Sequence, residues 1–138
     1  MYQIYSLNAL VDNMPCSYGE NFGKYPLSAD VAKVSNISAD GLFKKDYEKR
    51  SFRETELKKL LVEKDDLLVV KSSGSKANIL SGKTAICTEF EDGQLVASNF
   101  LMRLKPRKNL VYPRYLWYVL NSQYSKNYVK KIVGTTTY

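Results

Sequence analysis

Leu67-Leu68-Val69-Val70-Lys71, closed by Ser72-Ser73-Gly74-Ser75, is the stretch that decides the fold. Four consecutive aliphatic residues make an extended chain apolar on both faces, and the serine-glycine run stops it, so the pattern predicts a strand buried from both sides. Upstream, Leu57, Leu60 and Leu61 recur at helical spacing. Ser51 and Glu54 have the S-x-x-E spacing of a capping box. Together these predict a helix of about three turns whose outer face carries Glu56, Lys58, Lys59 and Glu63, with Lys64-Asp65-Asp66 as a solvated turn into the strand. Further upstream, 31–37 reads as a short strand ending at the Asp40-Gly41 turn, and 1–29 as a short helix or strand followed by loop.

Downstream, Ser81-Gly82-Lys83 turns the chain into a strand at 84–88. Glu91-Asp92-Gly93 predicts a hairpin into a strand at 94–97, because Asp-Gly accepts the positive φ of tight turns. Residues 100–105 alternate, with Phe100, Met102 and Leu104 on one face and Leu101, Arg103 and Lys105 on the other. Pro113 opens a helix to about Gln123 with Tyr112, Leu116, Val119 and Leu120 as its apolar stripe. Ser125 is placed to cap a second short helix whose Val129, Ile132 and Val133 pack inward and whose stop is Gly134. Helices and strands intersperse without a βαβ repeat. The expected fold is α+β, a single globular domain with a mixed, mostly antiparallel sheet and a few flanking helices.

The 138 residues suit one domain. Hydrophobic residues at 44% and charged ones at 25% are a globular composition. The longest aliphatic run, Leu67 to Val70, is far shorter than a membrane span, and no basic residue precedes Lys24 as a secretory leader would require. Two cysteines, Cys16 and Cys87, make no disulfide framework, and the sequence contains no histidine. That excludes Ser-His-Asp and Cys-His nucleophilic catalysis and His-ligated metals. A cytoplasmic, non-enzymatic protein is the expectation.

Charge is unevenly spread. The overall +7 comprises a net −2 over residues 1–43, +1 over 44–66 and +8 over 67–138, where eleven basic residues face three acidic ones. An excess confined to the second half points to a polyanion-facing surface there. Two motifs are decoys. Ser81-Gly82-Lys83-Thr84 ends like a phosphate-binding loop, but its leading glycine position holds Ala77. Met14-Pro15-Cys16-Ser17 contains the Pro-Cys pair of cytosine-5 methyltransferases, with nothing upstream to hold S-adenosylmethionine.

Taken together, several blocks resemble one family. Lys64-Asp65-Asp66-Leu67-Leu68 through Ser73-Gly74-Ser75 resembles the "GDLL…GS" block in target-recognition domains of type I restriction–modification specificity subunits. Gly82-Lys83-Thr84-Ala85-Ile86 follows at the expected interval, then Ala97-Ser98-Asn99-Phe100 and the "YL-x-Y" segment Tyr115-Leu116-Trp117-Tyr118. Gly134-Thr135-Thr136-Thr137 resembles the glycine-hydroxyl segment near the domain's end, and Val34-Ser35-Asn36-Ile37 with Asp40-Gly41 matches its start. The resemblance runs from Val31 to Tyr138, leaving 1–30 as an N-terminal segment outside it. Two features depart from the pattern: Asp65 stands where the family has glycine, and the sequence stops before the long helix and second recognition domain of a complete subunit. The expectation is therefore one recognition domain of a longer subunit, or a half-length subunit.

The resemblance implies a domain that reads one half of a bipartite target in double-stranded DNA and carries no cofactor. A partner modification subunit would methylate adenine with S-adenosylmethionine, and a restriction subunit would cleave. Phosphate contacts call for Lys or Arg on one surface, and the candidates are Lys71, Lys76, Lys83, Arg103, Lys105, Arg107 and Lys108. Base reading calls for bidentate or short polar groups, for which Asn78, Asn99 and Arg103 are the candidates, with Ser72, Ser73 and Ser75 on a loop able to enter a groove. The tyrosines are expected to pack inside, with Leu116, Trp117 and Val119 available to dock the modification subunit. The alternatives are a basic nucleic-acid-binding module without sequence preference, or a protein-interaction domain whose charge is incidental.

Overall fold

In the structure, a computed structural model that describes residues 6–17, 25–71, 82–88, 94–125 and 127, the Leu67–Val70 strand is buried along its whole length. It is β4 in chain order, after α1 (Leu7–Leu10), β1 (Val11–Met14), β2 (Leu27–Ala32), β3 (Glu48–Phe52) and α2 (Glu54–Leu60). After it come β5 (Thr84–Ile86), β6 (Leu95–Ala97), β7 (Leu101–Pro106) and α3 (Pro113–Leu120). The strands form two sheets where the sequence suggested one. A four-stranded antiparallel sheet has the order β1-β7-β4-β5, and a three-stranded sheet the order β3-β2-β6, with β2 antiparallel to β3 and parallel to β6.

Period-two alternation sorts the core into layers. Leu68 and Val70 face Ala32, Leu95 and Ala97, so one apolar cluster fills the space between the sheets. Leu67 and Val69 face the other way, toward Leu116 of α3. On the far side of the three-stranded sheet, Ala29, Val31 and Val96 meet Leu57 and Leu60 of α2. The layers therefore run helix, sheet, sheet, helix, the α+β class expected.

Several local expectations are corrected. β2 starts earlier than expected and ends at Ala32, and Val34–Asn36 is a single 3-10 turn. Ser51 lies in β3, where its hydroxyl accepts the Tyr25 amide, so α2 starts at Arg53 without a side-chain cap and spans two turns. The Glu91-Asp92-Gly93 turn lies outside the described residues, but it does not join a hairpin: β5 and β6 belong to different sheets. Ser122, not Ser125, accepts an amide hydrogen bond at the next helical turn, from Ser125 itself. Val129, Ile132, Val133 and Gly134 lie outside the described residues.

Turn chemistry was better forecast. Gly41 has φ +76, and a Cβ there would meet the Thr84 carbonyl oxygen at 2.7 Å, so only glycine fits. Asp65, standing where the resembled family has glycine, adopts φ 71, a left-handed conformation that aspartate tolerates better than most residues. Its neighbour Asp66 is not solvated but buried, accepting the Glu63 amide at 2.9 Å. The tyrosines of the α3 region are likewise not core: Tyr112, Tyr115, Tyr118 and Tyr124 are all exposed.

A candidate nucleic-acid interface at the junction of the two sheets

β2 and β6 run parallel and end side by side, with Ala32 opposite Ala97 and the Ser98 amide donating to the Ala32 carbonyl at 3.0 Å. The next three residues, Ser98-Asn99-Phe100, carry the chain across from this sheet into β7 of the other. The crossing is held at both ends: the Leu101 amide donates to Ser98, and the Lys71 amide donates to the Phe100 carbonyl at 3.2 Å. Around it opens a cleft of about 490 Å³ lined by Lys33, Val34, Ser35, Arg50, Ser98, Asn99 and Phe100.

The cleft combines three chemistries. Phe100 is 55% exposed although both strands flanking its turn are buried. Ser98 is only 7% exposed, yet its buried hydroxyl has no hydrogen-bond partner among the described residues. Lys33 and Arg50 both pair with Glu48, at 2.8 and 3.6 Å, so two cations share one carboxylate. The Lys33 hydrogen bond, then its charge, hold Glu48 below the usual carboxylate range. Solvent screens an ion pair on so exposed a carboxylate, so an incoming anion competes with Glu48 for the two cations.

Part of the expected site gathers here. Lys71 is exposed just past β4, beside Phe100. Lys83 precedes β5 at the same end of the sheet, and its Nζ donates to the Ile37 carbonyl at 2.8 Å. The Gly82 amide donates to the Val70 carbonyl at 2.7 Å, fixing the return of the chain next to its departure at Lys71. Ser72, Ser73, Ser75, Lys76 and Asn78 lie between these points, outside the described residues.

The remaining candidates do not join them. Lys105, Arg107 and Lys108 sit at the opposite end of the four-stranded sheet, since Leu104 pairs with Leu67 and Leu101 with Val70. Each has an acidic partner: Lys105 bonds Glu63, Arg107 bonds Asp12 at 2.8 Å, and Lys108 lies 3.0 Å from Asp65. The Lys105 hydrogen bond keeps Glu63 below its ordinary pKa.

Arg103 requires a correction. It is 2% exposed, its Nη1 donates to the Leu61 carbonyl and its Nη2 to the Lys59 carbonyl at 3.0 Å, and Nη1 lies 3.6 Å from Asp66. A guanidinium committed to the end of α2 cannot reach a base edge. Leu116 and Trp117 are also spoken for, the first buried and the second donating from Nε1 to Gly41 and Thr84.

The sequence reading missed Lys33, Arg50, Ser98 and Phe100. Lys33 belongs to the acidic part of the chain, and Phe100 fitted the apolar face of a strand that in fact begins one residue later. No local signal marks either as exposed.

Cys16 and Cys87 are free, and burial raises both thiols, Cys87 to about 12. Among the described residues no group of three or more His, Cys, Asp or Glu could hold a metal, and no helix is long and apolar enough to cross a membrane. Comparison with protein-family models gave no match, and neither did comparison with curated proteins.

Proposed function

We propose that this chain is a DNA target-recognition domain of the kind found in type I restriction–modification specificity subunits, reading one half of a bipartite duplex target. Catalysis belongs to partner chains: a modification subunit using S-adenosylmethionine and a restriction subunit that cleaves. The observation that carries the reading is the junction cleft, where Asn99 lines the same cleft as Lys33 and Arg50, on a turn whose Phe100 carbonyl accepts the backbone amide of the exposed Lys71. Cations on one surface supply sequence-independent affinity for phosphates, and an asparagine beside them discriminates adenine by its two-point edge. The order and spacing of the sequence blocks support the same reading.

Sequencing methylated sites genome-wide, with and without this gene, tests it in the cell. Loss of one bipartite adenine motif on deletion supports the assignment. An unchanged methylome contradicts it.

A further inference from the structure

Phe100 is 55% exposed on a turn whose backbone is fixed. Its backbone is pinned by the Lys71 amide on one side and the Ser98–Leu101 bond on the other, and Leu101, the next residue, is wholly buried. The ring is thus an exposed apolar group standing on a turn of fixed backbone. Its surroundings are polar and cationic: Asn99, the Ser98 hydroxyl, the Lys33–Glu48–Arg50 rim and Lys71.

Resting on the proposed function, we infer that Phe100 is a wedge that enters a base step of bound duplex DNA. The adjacent phosphate is received by the Lys33–Arg50 rim, and Asn99 meets the edge of the base that the wedge exposes. Apolar side chains flanked by cations unstack base steps in this way, at a cost repaid by the extra contacts of the bent duplex. Specificity then includes a contribution from deformability, because pyrimidine–purine steps open more easily than others. This differs from reading an undistorted groove.

The test uses the 138-residue protein and duplexes enriched from a random library, each carrying 2-aminopurine at one successive position. Binding is expected to raise fluorescence at one step only. Phe100→Ala should abolish that rise and weaken binding about tenfold, while Phe100→Leu retains part of both. Phe100 is exposed, so these variants fold. Salt-dependent binding by the wild type without a fluorescence rise at any position, or Phe100→Ala matching the wild type in both readouts, overturns the wedge and leaves DNA reading intact. Absence of any salt-dependent binding by the wild type overturns both.

Discussion

Asn121 grips Thr84 from both sides of its peptide unit: its Oδ1 accepts the Thr84 amide at 3.1 Å and its Nδ2 donates to the Thr84 carbonyl at 2.8 Å. β5 is the edge of the four-stranded sheet, and this carboxamide serves as its missing neighbour strand. Trp117 Nε1 shares the same carbonyl at 3.0 Å. Thr84 is fully buried, so Asn121→Ala strands a donor away from water. The expected cost is about 2 kcal/mol, read as a lower urea midpoint with unchanged slope.

Gly41 lies in the same knot, its carbonyl accepting the second Trp117 bond at 3.1 Å. With φ +76 and three heavy atoms within 2.9 Å of a built Cβ, Gly41→Ala adds left-handed strain and overpacking. Thermal or urea unfolding should show a loss of about 3 kcal/mol. A loss below about 1 kcal/mol would mean that α3 and β5 separate easily.

Arg103 and Asp66 form a buried pair in which Asp66 Oδ1 and Arg103 Nε have no hydrogen-bond partner among the described residues. Arg103→Met alone should destabilise by about 3–5 kcal/mol, because it leaves a carboxylate buried without its cation. Burial already pushes the Asp66 pKa up, against the opposing Glu63 hydrogen bond and Arg103 charge. Adding Asp66→Asn should return a good part of that loss, which a double-mutant cycle measures. DNA base preference should be unaffected in a folded Arg103 variant, in contrast with the sequence-based role.

These three residues show where sequence was legible and where it was not. Composition and period placed β4, α2, β7 and α3, because a run of buried apolar residues advertises itself. Gly41 and the Asp65 turn were legible for the same reason, since few residues accept positive φ. Pairing was not legible. Nothing in Asp92-Gly93 reveals that the strands around it join different sheets, because parallel β2–β6 pairing is decided by contacts more than sixty residues apart. The same alternation that marked Arg103 as polar could not say whether its face met water or a second sheet. The candidate site suffered accordingly: a basic residue looks alike in sequence whether it is exposed, as Lys71 is, paired, as Lys105 is, or buried.

Alkaline pH should destabilise the fold. Burial pushes the Cys87 thiol from 9.0 to about 12, and burial pushes Tyr47 from 10.0 to about 12. Between those limits the unfolded chain loses protons that the folded chain keeps, so stability falls as pH rises through the window. Cys87 contributes at most about 1.4 kcal/mol per pH unit. Urea midpoints followed from neutral to alkaline pH should decline, and Cys87→Ala should flatten the decline above pH 9. Equal slopes in the two proteins would show that the thiol ionises while folded.

On the proposed function, the junction end of the sheets binds duplex DNA and discriminates among sequences. Equilibrium binding to random and to enriched duplexes across a salt series, with the wild type, Lys71→Ala and Asn99→Ala, tests it most directly. For the wild type, log K should fall linearly with log salt, and enriched duplex should outcompete random. Lys71→Ala should weaken both duplexes alike and shallow the slope by about one unit. Asn99→Ala should narrow the preference by about 1–3 kcal/mol at one base. Binding indifferent to salt, or equal affinity for random and enriched duplexes, would contradict the proposed function.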